Sequence, residues 1–492
     1  MVFHQFLDPG LGCASYLIGD HSAGEAAIVD PAYAIEQYVE EAERRELRIT
    51  RVLETHNHAD HVSGHGRLAL EHGAGVAIHP QAEPEYAFEP LTDGGTVRVG
   101  AVAVRVVHTP GHRPEHCALV VNQELVLTGD SLFVGDAARP DLAVGAAEGA
   151  EGAEGAEGAE GLFHSLRRLE ELPDAVLVYR GHVAGSLCGA SLSPDPSSTI
   201  GAERRSNRAL RIPELEDFVA YALSKSAPRP PNMDRIVALN CGPFLGAPVP
   251  LERLGRVTGP VLDVRDAREF AAGHLPGALS VPVAERSFAT RAAFVVADGP
   301  LVLHAASEHQ AEDAARGLRS VGVLELAGYV VDPQGATEQI RPVGLDELDE
   351  LLASGSVEVL DVREQDERDG GYIAGSRHIP YRLLPALSDG LGDRPVVTIC
   401  TSGARAAIAA SVLAARGVEA HPVLDGGVPD WTRRGGRTIE FRRCRRLPTA
   451  TWPEGRHACV RPAVEQAKAR SVRPERGQVV VREPHKPTDD SL

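Results

Sequence analysis

The chain has 492 residues, 43% of them hydrophobic, and a formal net charge of −19 at pH 7. That length exceeds one ordinary domain and suggests about three, and the acidic balance argues against a general nucleic-acid or acidic-membrane surface. Seven cysteines, at 13, 117, 188, 241, 400, 444 and 459, are scattered without a CxxC pair, which argues against a disulfide framework or a zinc ribbon. The first six residues lack the basic and apolar regions of a secretory signal, and no run of about 18 apolar residues exists to span a membrane. A reducing, cytoplasmic setting is expected.

Residues 14–18 and 26–29 read as strands, and residues 34–46 carry helical periodicity through Ile35, Tyr38, Val39 and Ala42. A strand over 49–54 then runs into Thr55-His56-Asn57-His58-Ala59-Asp60-His61, followed by a helix-like run over 67–72. Residues 76–78 form another short strand, and 97–108 read as two strands joined at Gly100, ending in Thr109-Pro110-Gly111-His112. A hairpin around Asn122-Gln123 leads to Thr128-Gly129-Asp130, and a strand over 176–179 leads to Gly181-His182. The same grammar occurs four times: a β-rich run, a turn with Gly or Asn, then His or Asp. Ligands delivered from several strand ends to one sheet edge make a metal cleft.

Residues 146–161 are a low-complexity run of Ala-Glu-Gly triplets, expected to be an acidic, mobile surface insertion because its glycines weaken a helix and it lacks core-forming side chains. Arg229-Pro230-Pro231 marks a linker. Beyond it one pattern appears twice: Val261-Leu262-Asp263-Val264-Arg265 before Gly273-His274-Leu275-Pro276-Gly277-Ala278, and Val359-Leu360-Asp361-Val362-Arg363 before Gly371-Tyr372-Ile373-Ala374-Gly375-Ser376. This internal repeat predicts two copies of one α/β domain with parallel strands. The last fifty residues lose periodicity and read as a disordered tail. The expected units are 1–235, 250–335, 340–440 and the tail 441–492.

The candidate ligands are His56, His58, Asp60, His61, His112, Asp130 and His182. This set and order, HxHxDH followed by His, Asp and His, resembles the metallo-β-lactamase superfamily, which implies an αββα sandwich with metal at one edge. Two chemistries within it compete. A dinuclear hydrolase of the glyoxalase II type would use all seven residues around two zinc ions and attack a thioester. A persulfide dioxygenase uses one Fe(II), and mapping it here implies His56, His112 and Asp130 as ligands. Two imidazoles and one carboxylate leave three positions open, which suits iron. His58, Asp60, His61 and His182 would then orient the ligands or hold a second metal. Thr109 to His116, Thr128 to Phe133, Arg139-Pro140-Asp141, Gly181 to Gly189, Ser198 to Gly201 and Glu203-Arg204-Arg205 look like the dioxygenase branch. His116 reads either as a ligand-orienting residue or as a surface histidine. Arg139 and Asp141 read as an ion pair shaping the site, and Cys117 and Cys188 as packing residues.

In the second repeat a strand over 395–399 runs into Cys400-Thr401-Ser402-Gly403-Ala404-Arg405 and then a helix. A cysteine in a tight loop at a helix N-terminus meets backbone N–H groups and a positive dipole end, and Arg405 adds charge; all favour a thiolate and cradle an anionic sulfur species. With Asp361-Val362-Arg363 before it and Leu424-Asp425-Gly426-Gly427 to Trp431 after it, the loop resembles rhodanese sulfurtransferases. The resemblance implies Cys400 as persulfide carrier, with Thr401, Ser402, Gly403 and Ala404 lining the substrate. Four residues separate Cys400 from Arg405; related phosphatases have five. In the first repeat Ala305, Glu308 and Gln310 stand where Cys400, Gly403 and Arg405 do, so that copy reads as inactive.

The whole resembles persulfide dioxygenase–rhodanese fusions: an α/β multidomain chain with an αββα sandwich followed by two rhodanese-like domains with parallel sheets. The resemblance implies oxidation of a small-molecule thiol persulfide with O2 to sulfite and thiol, and sulfur transfer that forms or uses thiosulfate. It implies one Fe(II) per chain, with zinc as the alternative, and no nucleic-acid or membrane partner; a homo-oligomer is compatible with it. The competing readings are a zinc thioester hydrolase with appended rhodanese modules, and a sulfur-binding sensor or scaffold with a structural metal.

Overall fold

In the computed structural model the described residues are 1–8, 10–140, 153–183, 193, 195–224, 231–297, 299–332, 337–387, 391 and 394–439. Asp141, Cys188 with the rest of its loop after Val183, Arg229-Pro230, the start of the Ala-Glu-Gly run and the tail lie outside them.

The N-terminal part is two six-stranded sheets packed face to face. The first contains β1 (Val2–Asp8), β2 (Cys13–Asp20), β3 (Glu25–Val29), β4 (Arg48–Leu53), β5 (Gly75–Ile78) and β6 (Glu89–Pro90), in sequential order. Between them run α1 (Glu36–Arg44) and α2 (His65–His72). β1, β2 and β3 are antiparallel, and β3 to β6 are parallel. The second sheet starts with β7 (Thr96–Val99), β8 (Val102–His108), β9 (Cys117–Val121) and β10 (Leu125–Leu127). A small hairpin, β11 (Leu132–Phe133) and β12 (Asp136–Ala137), and α3 (Ala153–Glu170) precede β13 (Leu177–Tyr179) and β14 (Ser197–Thr199), which complete it in the order β14-β13-β10-β9-β8-β7. Asn122 and Gln123, at φ 47° and 60°, take up the left-handed region in the three-residue turn that joins β9 to β10.

Alternation along the strands sorts the core into layers. Tyr16, Ile18, Ala27, Val29, Leu119 and Leu127 meet between the sheets. Leu17, Ile28 and Val52 point outward against Tyr38 and Ala42 of α1 and Leu68 of α2. Ala118, Val120 and Val126 face α3, α4 (Ile200–Ser206) and α5 (Leu215–Leu223). Strands buried on both faces explain the near-continuous apolar runs in the sequence. The result is the expected αββα sandwich. β4, β8, β10 and β13 end toward one edge, where each hands over to a histidine- or aspartate-bearing loop.

After α6 (Met233–Cys241) come two α/β copies. The first holds β15 (Val261–Asp263), α7 (Ala267–Ala272), β16 (Leu279–Ser280), α8 (Phe288–Val295), β17 (Leu301–His304), α9 (Glu308–Ser320) and β18 (Leu326–Val330). The second holds α10 (Leu345–Ser354), β19 (Glu358–Asp361), α11 (Gln365–Asp369), β20 (Tyr372–Ile373), β21 (Arg377–His378), α12 (Leu384–Leu387), β22 (Val396–Ile399), α13 (Ala404–Ala414), β23 (Ala420–Pro422), α14 (Val428–Arg433) and β24 (Thr438–Ile439). The sheets, β16-β15-β17-β18 and β21-β19-β22-β23, are parallel throughout, as the repeat predicts. The repeated Asp-Val-Arg motif has one job in both. Arg265 grips Asp263 and the Gly273 carbonyl (2.8 Å), and Arg363 grips Asp361 and the Gly371 carbonyl (2.8 Å). One apolar core joins the copies, running from Val281 and Phe288 to Ile408 and Leu413.

The Ala-Glu-Gly run departs from expectation. From Ala153 onward it is the first half of α3, continuous with Leu162, Leu166 and Leu169, which are buried in the core. Its glycines weaken a helix in isolation, but here they permit close approach. A Cβ on Gly158 would collide with the Pro140 carbonyl and lie 2.9 Å from the Gly111 carbonyl, and one on Gly161 would lie 3.3 Å from the Pro110 carbonyl. Ser165 also donates to the Pro110 carbonyl (2.7 Å). Packing against the loop before His112 thus outweighs helix propensity. Gly158→Val should destabilise the chain by about 1–3 kcal/mol in urea unfolding, whereas Glu157→Ala on the exposed face should stay within about 0.5 kcal/mol.

Candidate metal centre and cysteine loop

The metal cleft is built by fixing each imidazole from behind. Asp30, at the end of β3, accepts from the Thr55 backbone N–H (2.7 Å) and hydroxyl (2.8 Å). Thr55 Oγ1 lies 2.9 Å from His56 Nδ1, which aims Nε2 into the cleft. His112 donates from Nδ1 to the Arg139 carbonyl (2.9 Å), so its Nε2 carries the lone pair, 3.4 Å from Asp130 Oδ2. Asp130 is held twice: its backbone N–H donates to His116 Nε2 (2.9 Å), and His182 Nδ1 donates to its Oδ1 (2.6 Å). His116 is fully buried and bonded to Thr109 Oγ1 (2.8 Å), which settles it as a residue that positions Asp130.

His56, His112 and Asp130 offer donor atoms that all lie within 4.8 Å of one another. His56 Nε2 and Asp130 Oδ2 are buried without a hydrogen-bond partner. Burial and the neighbouring His58, His116 and His112 push His56 well below the ordinary imidazole range, and burial also lowers His112. Neutral rings with free lone pairs beside a carboxylate fit a divalent metal. Burial favours neutral forms in His182 and Asp130 alike, but their mutual attraction overrides it: His182, also facing Asp60, rises to about 10 and Asp130 falls to about 2.

The other members of the motif are placed differently. His182 spends both ring nitrogens on carboxylates, Asp130 and Asp60 (Nε2 to Oδ2, 2.7 Å). His61 Nδ1 contacts Asp60 at 3.2 Å, with Nε2 unpaired. His58 turns Nε2 toward Asp30 and Glu54, 3.3 Å from each, and its Nδ1 is unpaired. His58, Asp60 and His61 form a second group of donors within 4.8 Å. Glu203 and Thr199 serve the fold: Glu203 accepts from Gly135 N–H (2.8 Å) and Asn207 (2.7 Å), and Thr199 caps α4. Arg139 is buried, and Cys117 packs in the inter-sheet core as expected.

Three supports escaped the sequence reading. Asp30 and Glu54 were visible only as acids closing apolar strands. Asn240, on α6, donates to the His58 (3.0 Å) and His61 (2.9 Å) carbonyls and accepts from Ser63 N–H (2.8 Å), with no local signal to announce it.

At the second site, β22 delivers Cys400 into a tight turn, where Gly403 N–H donates to its Sγ (3.1 Å) and the thiol is buried. Gly403 has φ 102°, and a Cβ there would collide with the Leu424 backbone. Val428 N–H donates to the Cys400 carbonyl (2.9 Å), so the Gly426-Gly427 turn closes the loop from below. Ala404 is buried at the start of α13, and Ser402 is exposed at the mouth. Arg405 is not a bare cation. Glu367 receives both its arms (2.6 and 2.7 Å) and the Thr401 hydroxyl (2.8 Å). In the first copy, ladder register places His304 beside Asp263 as Ile399 sits beside Asp361, so Ala305 occupies the Cys400 position. His304 Nδ1 is paired with Asp263 (2.9 Å), and Ser307 caps α9.

The Metallo-beta-lactamase superfamily model matches residues 8–182, and the Rhodanese-like domain model matches 251–331 and 344–434. A hydroxyacylglutathione hydrolase of Cereibacter sphaeroides is 32% identical over 219 residues, 42% of this chain and 80% of the relative. The chain belongs to the metallo-beta-lactamase superfamily and carries two rhodanese-like domains. The mitochondrial persulfide dioxygenase ETHE1 of Bos taurus is 27% identical over 247 residues, 49% of this chain and 89% of the relative. A crystal structure of a metallo-beta-lactamase from Staphylococcus aureus aligns with TM-score 0.61 at 28% identity, covering 68% of this chain and 99% of the other. Among the described residues no helix is long and apolar enough to cross a membrane.

Burial would raise the Glu367 carboxyl, but Arg405 overrides it and holds it down from the ordinary 4.5 to about 2. A depressed carboxylate stabilises the fold above its unfolded value and loses that contribution as pH falls through the folded one. The urea-midpoint advantage of the parent chain over Glu367→Gln should therefore be full at pH 7 and fade between about 4.5 and about 2.

Proposed function

We propose that the metal cleft oxidises a low-molecular-weight thiol persulfide and that the Cys400 loop handles the sulfane sulfur of the same chemistry. The observation that carries this reading is the engagement of His182. With both nitrogens spent on Asp130 and Asp60, it leaves His56, His112 and Asp130 as a compact two-nitrogen, one-oxygen set. That donor set suits a single Fe(II), which would supply open coordination positions and redox capacity for persulfide sulfur and O2. The balanced reaction is RSSH + O2 + H2O → RSH + H2SO3, in which the outer sulfur is oxidised, O2 is reduced and the thiol leaves.

The chain's own residues set the stage. His116 and His182 fix Asp130 from backbone and side chain, the Arg139 carbonyl holds the His112 ring, and Thr55 holds His56. At the other site sulfite would attack the outer sulfur of Cys400–S–S⁻, forming the new sulfur–sulfur bond of thiosulfate as the bond to Cys400 Sγ breaks and the Cys400 thiolate leaves; the reverse step would load Cys400. Gly403 N–H stabilises the sulfur anion, and Arg405 with Thr401, clamped by Glu367, borders its approach. Two sites on one chain raise the effective concentration of sulfite at the second.

A second reading is a zinc thioester hydrolase, favoured by the hydrolase relative and by the second donor group His58, Asp60 and His61. Metal analysis with an oxygen electrode separates them. The proposal expects about one iron per chain and O2 uptake on adding glutathione persulfide; two zincs with thioester hydrolysis and no uptake would defeat it. Cys400→Ser should abolish thiosulfate formation while sulfite production continues. Loss of both products would contradict the division into two sites.

A further inference from the structure

The rhodanese copy without a nucleophile needs another reason to be in the chain, and its contact with the metal loop supplies one. The loop over residues 57–63 is buried except at Asp60, so its buried backbone groups need partners. α6 provides several through Asn240. Asn57 N–H goes to Glu115 (3.1 Å). Val62, between His61 and Ser63, turns its N–H away from the sandwich altogether and donates to the Ser320 carbonyl (2.7 Å), the last residue of α9 in the inactive copy.

The joint is packed as well as bonded. Asn232, just before α6, donates to the Val321 carbonyl (2.6 Å). Gly322, at φ 81°, ends α9 in a left-handed turn that brings its backbone against the same place. A Cβ on it would lie 3.3 Å from Ile236, 3.6 Å from Leu239 and 4.0 Å from Val62. Val62 and Ile236 are buried together with Tyr33 in a small apolar cluster. Metal loop, α6 and the end of α9 thus close one three-sided contact.

We propose that the inactive rhodanese copy is a positioning element of the metal centre: the turn Ser320-Val321-Gly322 fixes the backbone between the imidazole-bearing residues and sets how firmly the metal is held. This rests on the reading of the cleft as a metal site, and on neither choice of metal nor reaction. The first copy then presents a carbonyl to the metal loop from the far end of α9, while Ala305 stands where the second copy has Cys400.

The test uses the full-length chain with Gly322→Val, which places two methyl groups into the joint, and Asn232→Leu, which removes one bond to the turn without altering it. Three quantities are read: hydrogen exchange of the peptide spanning 57–64, retention of Fe(II) or Zn(II) against a chelator, and sulfur transfer at Cys400. The expected result is faster exchange and metal retention weakened by roughly 10- to 100-fold, the range for groups that hold ligands in place, with Cys400 transfer within about twofold of the parent. If exchange does not rise, or rises while metal retention is unchanged, the proposal is overturned. Should Gly322→Val lose Cys400 transfer as well, its fold is damaged, and Asn232→Leu decides by the same criteria. Absence of O2 uptake by the parent would defeat the dioxygenase reading and leave the retention result standing.

Discussion

Six imidazoles, His56, His58, His61, His112, His116 and His182, are buried in one cleft, and several of their nitrogens face no hydrogen-bond partner. Burying polar groups unpaired is costly, and burying them beside like-charged neighbours more so. The rest of the sandwich is arranged to meet that cost. Asp30 and Glu54 answer His58, Asp60 and Asp130 answer His182, and the Thr55 hydroxyl and the Arg139 carbonyl orient the two rings whose lone pairs remain. What is left over is two neutral rings beside the Asp130 carboxylate, a donor set that a cation satisfies well.

The two rhodanese copies separate what makes the fold from what makes the chemistry. Both keep the Asp-Arg clamp that ties the first strand to the following glycine turn. Only the second keeps a cysteine with a short glycine loop. Its α13 is apolar on nearly every face, which a surface helix could not be. The first copy covers it, and Ser280 N–H donates to Ser411 Oγ (2.9 Å) across the contact. The copy with Ala305 at the cysteine position therefore buries the helix behind Cys400 on one side and meets the histidine-bearing loop on the other.

The strands and the order of the candidate ligands were legible in the sequence because strand ends are marked twice, by a stop in β-periodicity and by the histidine or aspartate that follows. The second repeat was equally open, since Cys400 and Arg405 sit five positions apart in one loop. What was not legible depends on partners distant in the chain. The glycines of α3 look like breakers until the Pro140 and Gly111 carbonyls are laid against them. Glu367 is one acid among many until it closes on Arg405, and Asn240 lies about 180 residues from the carbonyls it binds. Local composition carries no record of such contacts.

The central claim is that one metal is held by His56, His112 and Asp130, with His182 as a hydrogen-bonding support. Anomalous diffraction at the iron and zinc edges from crystals of the metal-loaded chain tests it most directly. The account predicts one iron peak bounded by His56, His112 and Asp130, with His182 still bonded to Asp130 and Asp60. Two peaks, the second drawing His182, Asp60 and His61 into coordination, would contradict it.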